Sequence, residues 1–365
     1  MATDAAESSQ TWRHLPGIRV FFKVDWRTIA PPFLIACWLF MLLMTILVFR
    51  PDLVNPARIG TDTSNYYAAG VRLNAGHQLY QLQAGDRPVA NGIEPTPWSY
   101  PLLSPPPIAV VWRLLAFLFG DASMYLWALA GLLASSVMMA MIIVRCRPGL
   151  YPTLLVVMPF VAMQAVSGNV NALLIPACAL VWWATTRGRP GVAGALIGLS
   201  FALKLTPGLW IWWFIVRRDS RALVTCVATV AAVVAVSFIA VSPDSFIQYL
   251  AVARQAGTVG LPGMSPASLA TSLGVPVAIA NLVPYLLAAG AAALAWLWRD
   301  RPAWAFAACA VGVTLGTPDL RCEVLSWLVL VIVPFANDQG PRFWRRPVLL
   351  GAGRTTTEGG SPGGI

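Results

Sequence analysis

Charge is what this chain has least of. Asp, Glu, Lys and Arg make up 11% of its 365 residues, against roughly 25% in a soluble domain. Histidine occurs only as His14 and His77, too far apart in sequence to build a zinc site. The six cysteines, Cys37, Cys146, Cys178, Cys226, Cys309 and Cys322, include no CxxC pair. Most sit in apolar runs, so they read as small hydrophobes rather than ligands. No Gly/Ser linker divides the chain, and no internal repeat of 20–50 residues is visible. No A-x-A-like cleavage site follows the first apolar run at 32–49, which therefore reads as a retained helix rather than a signal peptide. Together with the chain's apolar excess, these shortages exclude a soluble enzyme, a disordered chain and a nucleic-acid-binding module as first readings.

What is present is apolar. Hydrophobic residues make up 58%, with 16 Trp, 15 Phe and 10 Met and a mean hydropathy of +0.68. The formal charge of +10 points to cytoplasmic loops rather than to a nucleic-acid partner. Apolar segments fall at about 32–49, 103–119, 123–144, 150–166, 170–186, 190–203, 205–216, 222–241, 275–298, 302–316 and 323–336. Between them lie short basic clusters at Arg145/Arg147, Arg187/Arg189, Arg217/Arg218/Arg221, Arg299/Arg301 and Arg342/Arg345/Arg346. All of these fall on the cytoplasmic side if 103–119 does not cross. Pro105-Pro106-Pro107 opens that segment, Arg113 interrupts it and Gly120-Asp121 ends it, as suits a half-helix in the outer interface.

The expected fold is an all-α polytopic membrane protein of about ten transmembrane helices (9–12), with both termini cytoplasmic. Residues 1–31 form a cytoplasmic segment, 32–336 the membrane domain, and 337–365 a disordered cytoplasmic tail. A large external first loop, 50–122, carries interfacial half-helices. The polar residues then gather at the external face, among them Asp62, Asn65, Tyr66, Tyr80, Gln164, Asn169, Asn171, Lys204, Arg254, Asp319 and Arg321.

Several of these residues could carry chemistry, and each also has a plain structural reading. Asp62 lies about a dozen residues beyond the first span, where a carboxylate can act as general base or cap the helix-compatible stretch 63–75. Lys204, in Phe201-Ala202-Leu203-Lys204-Leu205-Thr206-Pro207, is an ionisable group in an apolar run beside a helix-breaking proline. Such a lysine either serves a site, for instance as a point charge for a phosphate, or snorkels to the interface. Arg254 and Arg321 run against the positive-inside bias and suit an anionic ligand, although Asp319 and Arg321 could simply pair. Gln164 and the turn Ser167-Gly168-Asn169-Val170-Asn171 either read sugar hydroxyls or cap two helices. Trp210-Ile211-Trp212-Trp213 reads as an interface belt or lipid-facing packing.

Taken in order, these residues form a pattern: Asp62-x-x-x-Tyr66, Gly76-x-x-Leu79-Tyr80, Tyr100-Pro101, Gly168-Asn169-x-Asn171 and Lys204-Leu205-Thr206-Pro207. Over about residues 30–335 the chain resembles glycosyltransferase family 87, membrane enzymes of actinobacteria with the GT-C architecture. That family uses polyprenyl-phosphate sugar donors to build phosphatidylinositol mannosides and lipoarabinomannan, and includes an arabinofuranosyltransferase. Three positions depart from its common pattern. Asn169 stands where glutamine is usual, Leu102 replaces the second proline of Tyr-Pro-Pro, and the turn Thr317–Glu323 lacks a histidine.

The resemblance implies inverting transfer of a sugar, mannose first and arabinofuranose as the alternative, to a glycolipid acceptor outside the cytoplasmic membrane. Asp62 would be the base. Lys204, Arg254 and Arg321 would hold the donor phosphate. Asn65, Tyr66, Tyr80, Gln164, Asn169, Asn171 and Asp319 would line the sugar and acceptor sites. Neither metal nor cofactor is expected, the donor being a substrate, and the partners are donor, acceptor and membrane lipids. The competing class is a lipid-linked sugar carrier. A carrier usually places its site near the bilayer midplane and shows repeats, and this chain does neither.

Overall fold

The computed structural model describes residues 26–49, 61–80, 102, 104–258, 265–317 and 322–336. Its elements are helical, with no strand among the described residues. Five helical segments are long and apolar enough to cross a membrane: Thr28–Leu47, Ala122–Arg145, Pro148–Ser167, Ser220–Ser237 and Val277–Leu297. Six shorter apolar ones accompany them. The protein is an all-α, multi-pass membrane protein.

In chain order, α1 is Trp26–Phe49, α2 Thr61–Asn74, α3 Pro106–Phe119, α4 Ala122–Arg145, α5 Tyr151–Ser167, α6 Asn171–Thr186 and α7 Pro190–Leu203. They are followed by α8 Leu209–Val216, α9 Ser220–Ser237, α10 Asp244–Thr258, α11 Pro266–Ser272 and α12 Val277–Ala280. The last are α13 Val283–Leu297, α14 Pro302–Leu315 and α15 Val329–Ile332.

The helices sort by burial. On α1, Leu34, Trp38 and Leu42 are buried at four-residue spacing, while Phe33, Phe40, Leu43 and Leu47 are exposed. An apolar outer face of this kind suits lipid rather than water. The short α6 and α14 sit inside. Leu174, Ile175, Cys178 and Val181 on α6, and Phe306 through Ala310 on α14, are all buried. At 1.5 Å per residue a 24-residue helix such as α4 reaches about 36 Å, and a 14-residue helix such as α14 about 21 Å. The interior helices α6 and α14 are thus shorter than the span-length helices such as α4.

Three features of the fold bear on the site. First, α7 stops at Lys204, whose backbone is extended at φ −158° and ψ 131°. A 3₁₀ turn, Thr206–Gly208, follows before α8 starts. The break expected around Pro207 is present; proline has no N–H to continue the helix ladder, although Pro159 and Pro176 are carried inside α5 and α6. Second, α3 is only 14 residues long, with Ile108, Ala109 and Trp112 buried and Leu114, Phe117 and Leu118 exposed. It packs along α2. Third, the stretch 242–274, between the apolar segments 222–241 and 275–298, contains α10 and α11. Tyr249 and Val252 form the buried stripe of α10, opposite exposed Ile247 and Leu250.

One expectation is corrected, and one segment is refined. Trp210 and Trp213 are wholly buried, not a belt. Trp210 stacks near Phe306 and Trp327 at centroid distances of 5.6 and 5.8 Å, and Trp213 meets Phe306 at 5.1 Å. The cause is local: α8 is eight residues long and apolar all round, so it is a core helix. The last apolar segment, 323–336, is not one regular α-helix. It runs as 3₁₀ helix Cys322–Leu328, the short α15 and 3₁₀ helix Val333–Phe335.

Candidate active site

α2 opens with Thr61-Asp62-Thr63, placing an acid in the first turn, where the helix dipole favours negative charge. Its carboxylate reaches across to the turn between α5 and α6. There Asn169 Nδ2 donates to Asp62 Oδ2 at 2.7 Å. Asn169 Oδ1 accepts the backbone N–H of Asn171 at 2.9 Å and the Lys204 ammonium at 3.5 Å. The polarity of the amide is fixed by its partners. A backbone N–H and an ammonium can only donate, so they take the oxygen, and the acceptor-only carboxylate takes the nitrogen. Asp62, Asn169 and Lys204, spread over 143 positions of sequence, meet through one side-chain amide.

The backbone around this amide is shaped for the approach. Gly168 closes α5 in the left-handed region, φ +69° and ψ 14°, which glycine adopts without penalty. Its carbonyl accepts from Thr63 Oγ1 at 3.2 Å and from Trp127 Nε1 at 3.0 Å. A Cβ at residue 168 would run into the Thr63 hydroxyl. The turn is therefore pinned to α2 from one side and to α4 from the other.

Tyr66, one turn after Asp62, is buried, with its ring 6.1 Å from Trp112 and 6.4 Å from Trp127. Burial first, and then the Asp62 charge, push its phenol far above the ordinary tyrosine range; the Ser104 hydroxyl and the Val170 backbone beside it pull the other way. Tyr80 is buried too. Its hydroxyl donates to the Ser104 carbonyl at 2.6 Å, and its ring lies 6.0 Å from Tyr249. Both tyrosines thus bind the first loop to the bundle, and Asn65 is half-buried on α2.

Gln164 stands out differently. It is 1% exposed, and neither of its amide atoms has a partner among the described residues. The Oδ1 of buried Asn171 is in the same position. Buried amides are nearly always hydrogen-bonded, so these two keep unused hydrogen-bonding capacity among the described residues. Arg254 lies in α10, and its side chain falls outside the described residues. Asp319 and Arg321 fall outside them entirely.

The structure thus brings Asp62, Asn169 and Lys204 together, with Tyr66 against the same turn. Sequence reasoning did not single out Thr63, Ser104 or Trp127 as supports. Nothing marks Thr63 in a run of polar residues or Trp127 in an apolar helix; only their meeting at Gly168 does. Chemically, the arrangement offers a carboxylate and an ammonium held by the two ends of one side-chain amide.

Comparison with known proteins points the same way. A polyprenol-phosphate-mannose-dependent alpha-(1-2)-phosphatidylinositol mannoside mannosyltransferase of Mycobacterium tuberculosis is 38% identical over 60 residues, 16% of this chain and 14% of that protein. The protein of the same description from Mycolicibacterium smegmatis is 26% identical over 191 residues, 50% of this chain and 41% of its own length. The matches thus span less than half of either relative. No solved structure matches the chain. Residues 103–318, more than half of the chain, match the family model for glycosyltransferase family 87, and they contain Asn169, Lys204 and the helices that hold α2. The chain belongs to glycosyltransferase family 87.

Proposed function

We propose that the protein transfers mannose from a polyprenyl-phosphate donor to a glycolipid acceptor at the outer face of the membrane. The supporting observation is the Asp62–Asn169–Lys204 connection, which sets a base beside a cation for a phosphate. Asp62 takes the proton of the acceptor hydroxyl as its oxygen attacks the sugar C1. The C1–O bond to phosphate breaks, a new C1–O bond forms on the opposite face, and polyprenyl phosphate leaves with the electron pair. Lys204 stabilises that departing charge, which needs no general acid because a phosphate is already a weak base. Tyr66 and Asn65 flank the base, and Gln164 and Asn171 offer amides to sugar hydroxyls.

The same reading assigns about ten spans, with α2, α3 and the 167–171 turn outside. In support, Arg145, Arg217 and Arg299, all cytoplasmic on the charge map, each lie over a tryptophan face at 5.2, 4.9 and 5.6 Å. Arginine–tryptophan pairs of this kind suit the membrane boundary. The names of the curated relatives favour mannose over arabinofuranose. The test is reconstitution of the purified protein with polyprenyl-phosphate mannose or polyprenyl-phosphate arabinose against phosphatidylinositol mannosides. Transfer of mannose alone is expected. Transfer of arabinose alone, or of neither sugar, overturns the reading.

A further inference from the structure

We infer that Asn169 is a positioning residue that keeps the Asp62 carboxylate and the Lys204 ammonium coupled but separate; this rests on the transfer chemistry proposed above. Its side chain has little left with which to read a sugar. Nδ2 donates to Asp62 at 2.7 Å, while Oδ1 accepts from Asn171 at 2.9 Å and from Lys204 at 3.5 Å. Asn169 is 9% exposed, and its backbone is set by Gly168 and by the Ser167 hydroxyl, which takes the Asn169 N–H at 3.4 Å.

The electrostatic argument concerns what the amide prevents. A lysine touching an aspartate directly stabilises the ionised carboxylate and lowers its proton affinity by about one to three pKa units. Such an acid is a poor base, and the lysine is neutralised towards phosphate. The neutral amide spaces the two groups by its own length. Around the bridge, α2 contributes Asp62 and Tyr66, and the break after α7 contributes Lys204. α3, α4 and the α5–α6 turn contribute Trp112, Trp127 and the amides of Asn169 and Asn171, which do not titrate near neutrality.

Asn169→Asp tests this, because it keeps the shape, removes the donor and places a like charge against Asp62. In protein reconstituted with polyprenyl-phosphate mannose and phosphatidylinositol mannosides, the acid limb of the kcat/KM pH profile is expected to move up by about one unit or more. Asn169→Gln keeps an amide, and its acid limb is expected to stay where the unsubstituted protein has it. An unmoved limb in Asn169→Asp, with only a uniform loss of rate, overturns the inference and leaves Asn169 a packing residue. Should Asn169→Asp fail to fold, Asn169→Ser supplies the comparison. A hydroxyl too short to span both groups raises the polyprenyl-phosphate concentration for half-inhibition by about fivefold or more, as loss of one coupled contact to a charged group would. An unchanged value overturns the coupling. Absence of transfer by the unsubstituted protein would instead count against the proposed function.

Discussion

The Thr63 hydroxyl occupies the space into which a side chain at Gly168 would have to grow, and donates to the Gly168 carbonyl at 3.2 Å. Through this one relationship the first helix outside α1 is seated on the turn that carries Asn169. Any shift of that seat carries Asp62 with it.

Gly168→Ala therefore carries two separable penalties. A left-handed backbone at a non-glycine residue costs about 1–3 kcal/mol, and the new methyl displaces Thr63 and with it the Asp62 turn. We expect a lower melting temperature in detergent together with loss of transfer. Adding Thr63→Ala relieves the steric part and restores some stability but not all. Equal stability of the single and double variants would show that the Thr63 approach does not constrain the turn.

Gln164→Leu separates a substrate contact from a structural one. Replacing a buried amide that has no protein partner among the described residues with an apolar side chain of similar size is neutral or stabilising for the fold. The melting temperature is expected to hold or rise. Transfer is expected to fall about tenfold or more, because a hydroxyl of donor or acceptor loses its partner at about 1.4 kcal/mol per tenfold. Undiminished transfer would remove Gln164 from the site.

The buried phenols give a pH dependence of definite sign. Burial raises Tyr80 above the ordinary value of 10.0, with the neighbouring Tyr249 adding to the rise, and burial pushes Tyr249 up to about 12. The folded protein therefore favours the neutral phenols. Their stabilisation is fully present below about pH 10 and is lost as the pH climbs through the folded values. Thermal unfolding in detergent should show these tyrosines contributing no slope from about pH 7 to 9, and a decline above about 10. Tyr80→Phe removes the bond to the Ser104 carbonyl, costing about 1 kcal/mol at neutral pH, and flattens the alkaline decline. An unchanged alkaline slope would mean that Tyr80 ionises as freely when folded as when unfolded.

How much could be read beforehand follows from the range of each interaction. The helix-compatible stretch 63–75 and the break at Lys204 were legible because both are local. The helix itself runs Thr61–Asn74 with Asp62 inside its first turn rather than capping it, and Pro207 lies three positions beyond Lys204. The five long apolar helices were legible because apolar length is itself the signal. The seating of Thr63 on Gly168, 105 positions away, and the amide bridge from Asp62 to Asn169, 107 positions away, leave no trace in spacing. The Trp210–Trp213 stretch misled because tryptophan is common both at membrane interfaces and in cores. What decides between them is the short α8 being enclosed by α14 and the 322–328 segment.

The central claim is that Asp62 removes the acceptor proton, and Asp62→Asn tests it most directly. The amide oxygen introduced by that substitution still accepts from Asn169 Nδ2, so the bridge and the seating of α2 survive while the base is lost. With polyprenyl-phosphate mannose and phosphatidylinositol mannosides, kcat is predicted to fall about 10²–10⁴-fold at an unchanged melting temperature and unchanged donor affinity. Transfer within a few fold of the unsubstituted protein would contradict the account.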